Sequence, residues 1–204
     1  MKESYLTPDF RKTAAERFPA ETERLNAAFD ARLGALRAEY AGAGKEKLLH
    51  LERQIMPGIA AYETLQTVMD KDEALRTVHG CVEQRAHGEK KSFVRLLRIP
   101  GLYRCVPALF TKGMEMFFGE KAGFEKRDIQ TTGGVWRIDM LRCPYHDACV
   151  SHGCPELCTC FCDSDDITYD GMHPRLIWHR TKTLGRDNDC CDFCLRRSDK
   201  EYSE

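Results

Sequence analysis

Nine of the eleven cysteines lie between Cys143 and Cys194: Cys143, Cys149, Cys154, Cys158, Cys160, Cys162, Cys190, Cys191 and Cys194. Four of the seven histidines, His146, His152, His173 and His179, share that stretch. Thiol and imidazole at this density hold a metal, form disulfides or supply a nucleophile. Cys158 and Cys162 stand four apart, so a helix would project them from one face, with Cys154 on the same face and Asp165 and Asp166 one turn beyond. A metal reading joins this face to Cys190, Cys191 or Cys194, with zinc as the default ion for soft ligands. Only Cys191-x2-Cys194 has paired zinc-ribbon spacing, and a strand would point those two residues to opposite faces. A nucleophile reading needs a thiol whose pKa is lowered by a helix N-terminus or by cations. Cys191 beside Asp192 is the candidate nucleophile or ligand, and Arg180, Lys182 and Arg186 are the neighbouring cations. The residues leave the metal undecided, since a thiol mechanism requires none.

These side chains need elements to position them. Up to about residue 120 the pattern is helical. Leu25, Phe29, Leu33, Leu36 and Tyr40 mark one apolar face, and Ala41-Gly42-Ala43-Gly44 ends that helix. A second helix from about Lys45 carries Leu48, Leu51, Ile55 and Ile59 and is kinked or interrupted at Pro57-Gly58. A third starts near Asp72 as N-cap, with Leu75, Val78 and Val82 inward. Apolar turns follow at Phe93–Ile99 and Leu102–Phe118, and Met114, Met116, Phe117 and Phe118 read as core. The pattern then changes. Strands are expected at Phe124–Gln130 and Val135–Arg142 around Gly133-Gly134, and short helices at Pro144–His152 and Pro155–Asp166, each with proline in its first turn. Two further strands are expected at Arg175–Lys182 and Cys190–Arg197, with a frayed tail from Ser198 to Glu204. The expectation is an α+β fold: N-terminal helices in 1–120, then a cysteine-rich ββααββ unit in 121–204 with an antiparallel sheet, packed as one domain.

Composition narrows the chemistry further. The 204 residues carry a net charge of −1 and 42% hydrophobic residues, ordinary for a globular chain with no field to steer nucleic acid or membrane. Between Cys143 and Cys194, four basic residues face nine acidic ones, opposite to the basic footprint of a nucleic-acid-binding zinc module. No apolar run reaches the roughly 18–20 residues of a membrane span, and the N-terminal residues lack the apolar core of a signal peptide. A cytoplasmic location with reduced thiols is therefore expected, which the odd cysteine count favours.

Several motifs resemble one family. Cys143-Pro144-Tyr145, Gly153-Cys154-Pro155-Glu156-Leu157-Cys158 and Phe161-Cys162 resemble L-2-amino-thiazoline-4-carboxylic acid hydrolases. So do His173-Pro174, Arg180-Thr181-Lys182-Thr183-Leu184 and Asp189-Cys190-Cys191-Asp192-Phe193, in the same order and spacing over about residues 120–195. The resemblance implies a hydrolase that opens a cyclic, amidine-like thiazoline carboxylate to a carbamoyl-cysteine, with a small molecule as its partner. On that expectation Cys191, Asp192 and Asp165 are catalytic, with the two aspartates carrying protons. Arg180, with Thr181, binds the substrate carboxylate. Cys143, Cys158 and Cys162 are supporting thiols, or ligands if a metal is held. The competing reading is a non-catalytic cysteine-rich sensor of metal or ligand. Oligomeric state is not legible in the residues.

Overall fold

The computed structural model describes residues 4–198; the expected fraying of the tail lies, from residue 199, outside the described residues. The helices are α1 (Leu6–Arg17), α2 (Thr22–Glu39), α3 (Lys45–His50), α4 (Met56–Leu65), α5 (Lys71–Leu96), α6 (Val106–Phe117), α7 (Pro144–Ser151) and α8 (Cys158–Tyr169). The strands are β1 (Glu125–Gln130), β2 (Val135–Arg142), β3 (Leu176–His179) and β4 (Cys191–Arg197), in the order β1-β2-β4-β3 with every pairing antiparallel. The fold is α+β, with its helices first and the ββααββ order expected.

The differences in detail have local causes. The interruption expected at Pro57 appears one turn upstream, as a π turn over Leu51–Ile55. Pro57 sits in the first turn of α4 and has no N–H for the carbonyl four residues back, that of Arg53. Ser4 Oγ donates to this carbonyl at 2.6 Å. The N-cap of α5 is Asp70, not Asp72, because its carboxylate accepts from the Glu73 amide at 2.8 Å. The turn expected from Phe93 is the last turn of α5. The third strand is shorter than Arg175–Lys182, since Arg180 to Lys182 leave the ladder.

Two buried clusters hold the chain together. The first draws Phe10, Phe29, Leu36, Ile55, Ile59 and Tyr62 from the early helices together with Cys149, Cys154, Leu157, Cys158, Cys160 and Phe161 from α7, α8 and the turn between them. Gly58 permits this approach: a Cβ there would lie 2.6 Å from Phe161 Cζ. The second cluster covers one face of the sheet, where Trp136, Ile138 and Met140 of β2 alternate inward beside Cys191 and Leu195 of β4. Helix α6 caps that face through Phe110, whose ring lies 5.1 Å from Trp136 and 5.0 Å from Tyr169. The reading of Met114–Phe118 as core is corrected in part. Met114 and Phe118 pack against the second cluster, but Met116 is 68% and Phe117 46% exposed, because only one face of α6 meets the sheet. Among the described residues no helix is long and apolar enough to cross a membrane.

Candidate active site

The site lies where α8 passes the inward face of β4. Residues Met140 and Cys191 are register partners, so Cys191 shares the buried face with Met140, while Asp192 falls on the opposite face. Two residues beyond Met140, β2 ends and the chain turns into α7. Cys143 is the N-cap residue of that helix, as a Cys-Pro sequence at a helix start allows. From α8, Cys158 and Cys162 project together with their sulfurs 3.9 Å apart. The short turn Leu184–Arg186 closes over them. Its Gly185 has no side chain because a Cβ would meet Cys162 Sγ at 3.0 Å and Cys158 Sγ at 3.2 Å, and its Leu184 amide donates to Cys191 Sγ at 3.2 Å. Electrostatic coupling ties Cys143, Cys162 and Cys191 into one thiol group, with Asp165 and Arg180 acting on two of them.

Burial dominates the protonation of Cys191 and Cys143. It pushes the Cys191 thiol up to about 12, and the Leu184 amide and Arg180 only partly oppose it. Cys143 lies over the first-turn amides of Tyr145 and His146, which favour its thiolate, yet burial still drives its pKa upward. Cys158 and Cys162 are raised chiefly by donating to a neighbouring thiol, the one to Cys149 and the other to Cys158, with burial adding to the shift. All are thiols at neutral pH, and every cysteine in the chain is free.

Asp165 behaves differently from its neighbour Asp166. Asp166 is fully engaged, accepting from Trp178 Nε1 at 2.7 Å and from Arg180 Nη2 at 2.5 Å. Among the described residues the Asp165 carboxylate is held only by a 3.6 Å approach to Arg180 Nη1. Its side chain keeps 38% of its area exposed, so it reaches solvent, while the protein atoms packed around the carboxyl still desolvate it. Desolvation raises its pKa from 3.8 to about 7; Arg180 opposes this, while Asp166 and Glu89 add to it. Tyr169 has its phenol raised by burial and by Asp165. Tyr145 is coupled to Cys143 and Asp165. The Tyr145 hydroxyl lies 3.2 Å from His50 Nδ1, and His50 Nε2 lies 2.8 Å from the Phe117 carbonyl. Burial lowers the His50 pKa, so the ring is neutral, donating through Nε2 and accepting the tyrosine proton at Nδ1.

Arg180 carries the clearest sign of a missing partner. Its side chain is 1% exposed, stacked 5.2 Å over the Phe193 ring, and its Nη2 also donates to the Cys162 carbonyl at 2.7 Å. Among the described residues its Nε and Nη1 have no hydrogen-bond acceptor, and the buried Thr183 hydroxyl likewise lacks one. Buried donors on a guanidinium are costly unless something fills the site.

The structure thus brings together Cys143, Cys158, Cys162, Cys191, Asp165 and Arg180. Asp192 and Thr181 pair with each other instead. The Asp192 carboxylate accepts from the Thr181 amide at 2.8 Å, the Thr181 hydroxyl at 2.5 Å and the Lys182 amide at 2.5 Å. Those bonds depress its pKa and fix the chain just after Arg180. Sequence reasoning missed Tyr145, Tyr169, His50 and Thr183. Tyr145 stood within a quoted motif, but His50 lies 95 residues away from it and had no local signal. Among the described residues no three His, Cys, Asp or Glu side chains converge to hold a metal ion.

The chain was compared with known proteins. Neither the curated proteins nor the solved structures give a match. A family model described as L-2-amino-thiazoline-4-carboxylic acid hydrolase matches residues 49–195, a span that contains Cys143, Cys158, Cys162, Asp165, Arg180 and Cys191. The chain belongs to the L-2-amino-thiazoline-4-carboxylic acid hydrolase family.

Proposed function

We propose that this protein hydrolyses a small cyclic amidine bearing a carboxylate, of the 2-amino-thiazoline-4-carboxylate type, to a carbamoyl-cysteine. The observation that carries the reading is the buried Arg180 guanidinium, whose Nε and Nη1 have no hydrogen-bond acceptor among the described residues, beside a carboxyl whose pKa is about 7. Nη1 is the donor that takes the substrate carboxylate, in a charge-assisted hydrogen bond. Asp165 is then the group that exchanges protons near neutrality, as a general base should.

The substrate enters as its amidinium. Asp165 takes a proton from water as the water oxygen bonds to C2, giving a tetrahedral adduct whose ring nitrogen is an amine. The adduct collapses by breaking the C2–S bond. Asp165 returns its proton to the departing sulfur, and the adduct hydroxyl passes its proton to the carboxylate so regenerated as the urea carbonyl forms; Asp165 then releases it to solvent, which accounts for the proton the amidinium brought in. Burial keeps Cys191 a thiol near neutrality, its pKa pushed up to about 12, so no thiolate stands ready to attack C2 and water takes that role. The free cysteines support a reducing, cytoplasmic setting.

The test is turnover of L-2-amino-thiazoline-4-carboxylate by the purified protein, followed by release of free thiol. Asp165→Asn should lower kcat by about 10²–10⁴-fold, while Cys191→Ser should remain within about tenfold of the parent. A covalent substrate adduct on Cys191, Cys162 or Cys143, caught by acid quenching and mass spectrometry, would replace the water route by a thiol route. Absence of turnover on any cyclic amidine carboxylate would overturn the reading.

A further inference from the structure

The stretch from Lys90 to Met114 contains Lys90, Lys91, Arg95, Arg98, Arg104 and Lys112 and no acidic residue, and the exposed Glu115 that follows is the one acidic residue up to the end of α6, although the whole chain carries a net charge of −1. It spans the end of α5, the connection at 97–105 and most of α6. The same stretch and the end of α6 hold the densest set of exposed large apolar side chains: Leu96 (51%), Ile99 (54%), Leu109 (54%), Met116 and Phe117. On α6 the residues Leu109, Lys112 and Met116 follow at spacings of three and four, so they form one solvent-facing stripe. The other side of that helix is occupied, with Val106 buried and Phe110 set against Trp136 and Tyr169. Arg95, Arg98 and Lys112 are exposed, and among the described residues none of them forms an ion pair.

We propose that this stretch is an interfacial docking surface for an anionic lipid bilayer. Apart from Phe117 the exposed apolar side chains are aliphatic or thioether, suited to insertion among acyl chains, and the cations beside them complement acidic headgroups. Long basic side chains reach outward to those headgroups while their stems lie along the apolar layer. Two alternatives are less favoured by the same residues. A second copy of the chain packed on this face would set Arg95, Arg98 and Lys112 against themselves, and single-stranded nucleic acid would call for stacking aromatics where Leu96, Ile99 and Leu109 stand. The charge of the whole chain conceals the surface because acidic residues are concentrated elsewhere, notably between Cys143 and Cys194.

Vesicle sedimentation of the full chain tests this independently of its hydrolase activity. Vesicles of phosphatidylcholine with phosphatidylglycerol should retain the protein and vesicles of phosphatidylcholine alone should not, with retention falling as salt rises. The triple variant Arg95→Gln, Arg98→Gln, Lys112→Gln should bind anionic vesicles about 100-fold more weakly, about fivefold for each cation removed. The variant Ile99→Ser, Leu109→Ser, Met116→Ser should lose retention with unchanged Tm, since all three side chains are exposed. Thiazoline turnover in solution should match the parent in both variants. Failure of the parent to bind anionic vesicles overturns the proposal. So does self-association abolished by the serine variant without vesicle binding, or binding to single-stranded DNA in preference to vesicles.

Discussion

Asp165 and Arg180 show how two side chains acquire a function from their surroundings. The Asp165 pKa of about 7 lies above its ordinary 3.8, so the folded protein holds a proton there that the unfolded chain releases. This carboxyl contributes stability below pH about 4, and that contribution is lost as pH rises through about 7. Asp165→Asn should therefore melt above the parent at pH 8 and close to it at pH 4, while losing activity; a variant less stable at pH 8 would mean the carboxylate is favoured by the fold. In the parent, kcat/KM should climb with pH through about 7 as the base ionises. Arg180→Gln removes the guanidinium and its bond to Asp166. KM for the carboxylate substrate should rise at least tenfold, with a far smaller effect on a substrate lacking the carboxylate. Equal effects on both substrates would place Arg180 outside the pocket.

At the scale of elements, the antiparallel pairing of β2 with β4 decides which residues meet. Side-chain alternation sends Cys191 inward and Asp192 outward, so two adjacent residues serve different purposes. Asp192 holds the exit of β3 by accepting from Thr181 and Lys182, and this places Arg180 under Phe193. Asp192→Ala should cost about 1–2 kcal/mol in urea unfolding, since a charged acceptor is lost at a partly exposed site. It should raise KM more than it lowers kcat, as expected of a positioning residue. A large fall in kcat at unchanged KM would instead make Asp192 a proton carrier in the reaction.

Across the whole molecule, the early helices hold the cysteine-rich region in place. Gly58 in α4 packs against Phe161 in α8, and the Phe161 ring lies 5.3 Å from Tyr145, which is coupled to Asp165. Gly58→Val would drive its side chain into Phe161, at a cost of about 1–3 kcal/mol for overpacking. Thiazoline turnover should fall with it, because Cys162 follows Phe161 on α8; a variant that is stable and fully active would show the two regions to be mechanically separate. His50 extends the same dependence, since it reaches Tyr145 from α3.

What the sequence determined by itself was whatever local chemistry controls. Helix periodicity, the Gly133-Gly134 hairpin, prolines at helix starts, and the bounds of β2 are set within a few residues. The same locality put Cys158 and Cys162 on one helix face. Their shared side follows from backbone geometry. The exposed face of α6 was hidden, since an apolar run has the same composition whether or not another element covers it. Hidden too was the division of labour between Asp165 and Asp166, adjacent residues of one type. Only the tertiary structure could make one a satisfied partner of Trp178 and Arg180 and leave the other with its pKa raised by desolvation. The physical reason is that a pKa and an unfilled hydrogen bond depend on solvent and on atoms far away in sequence, which no local pattern encodes.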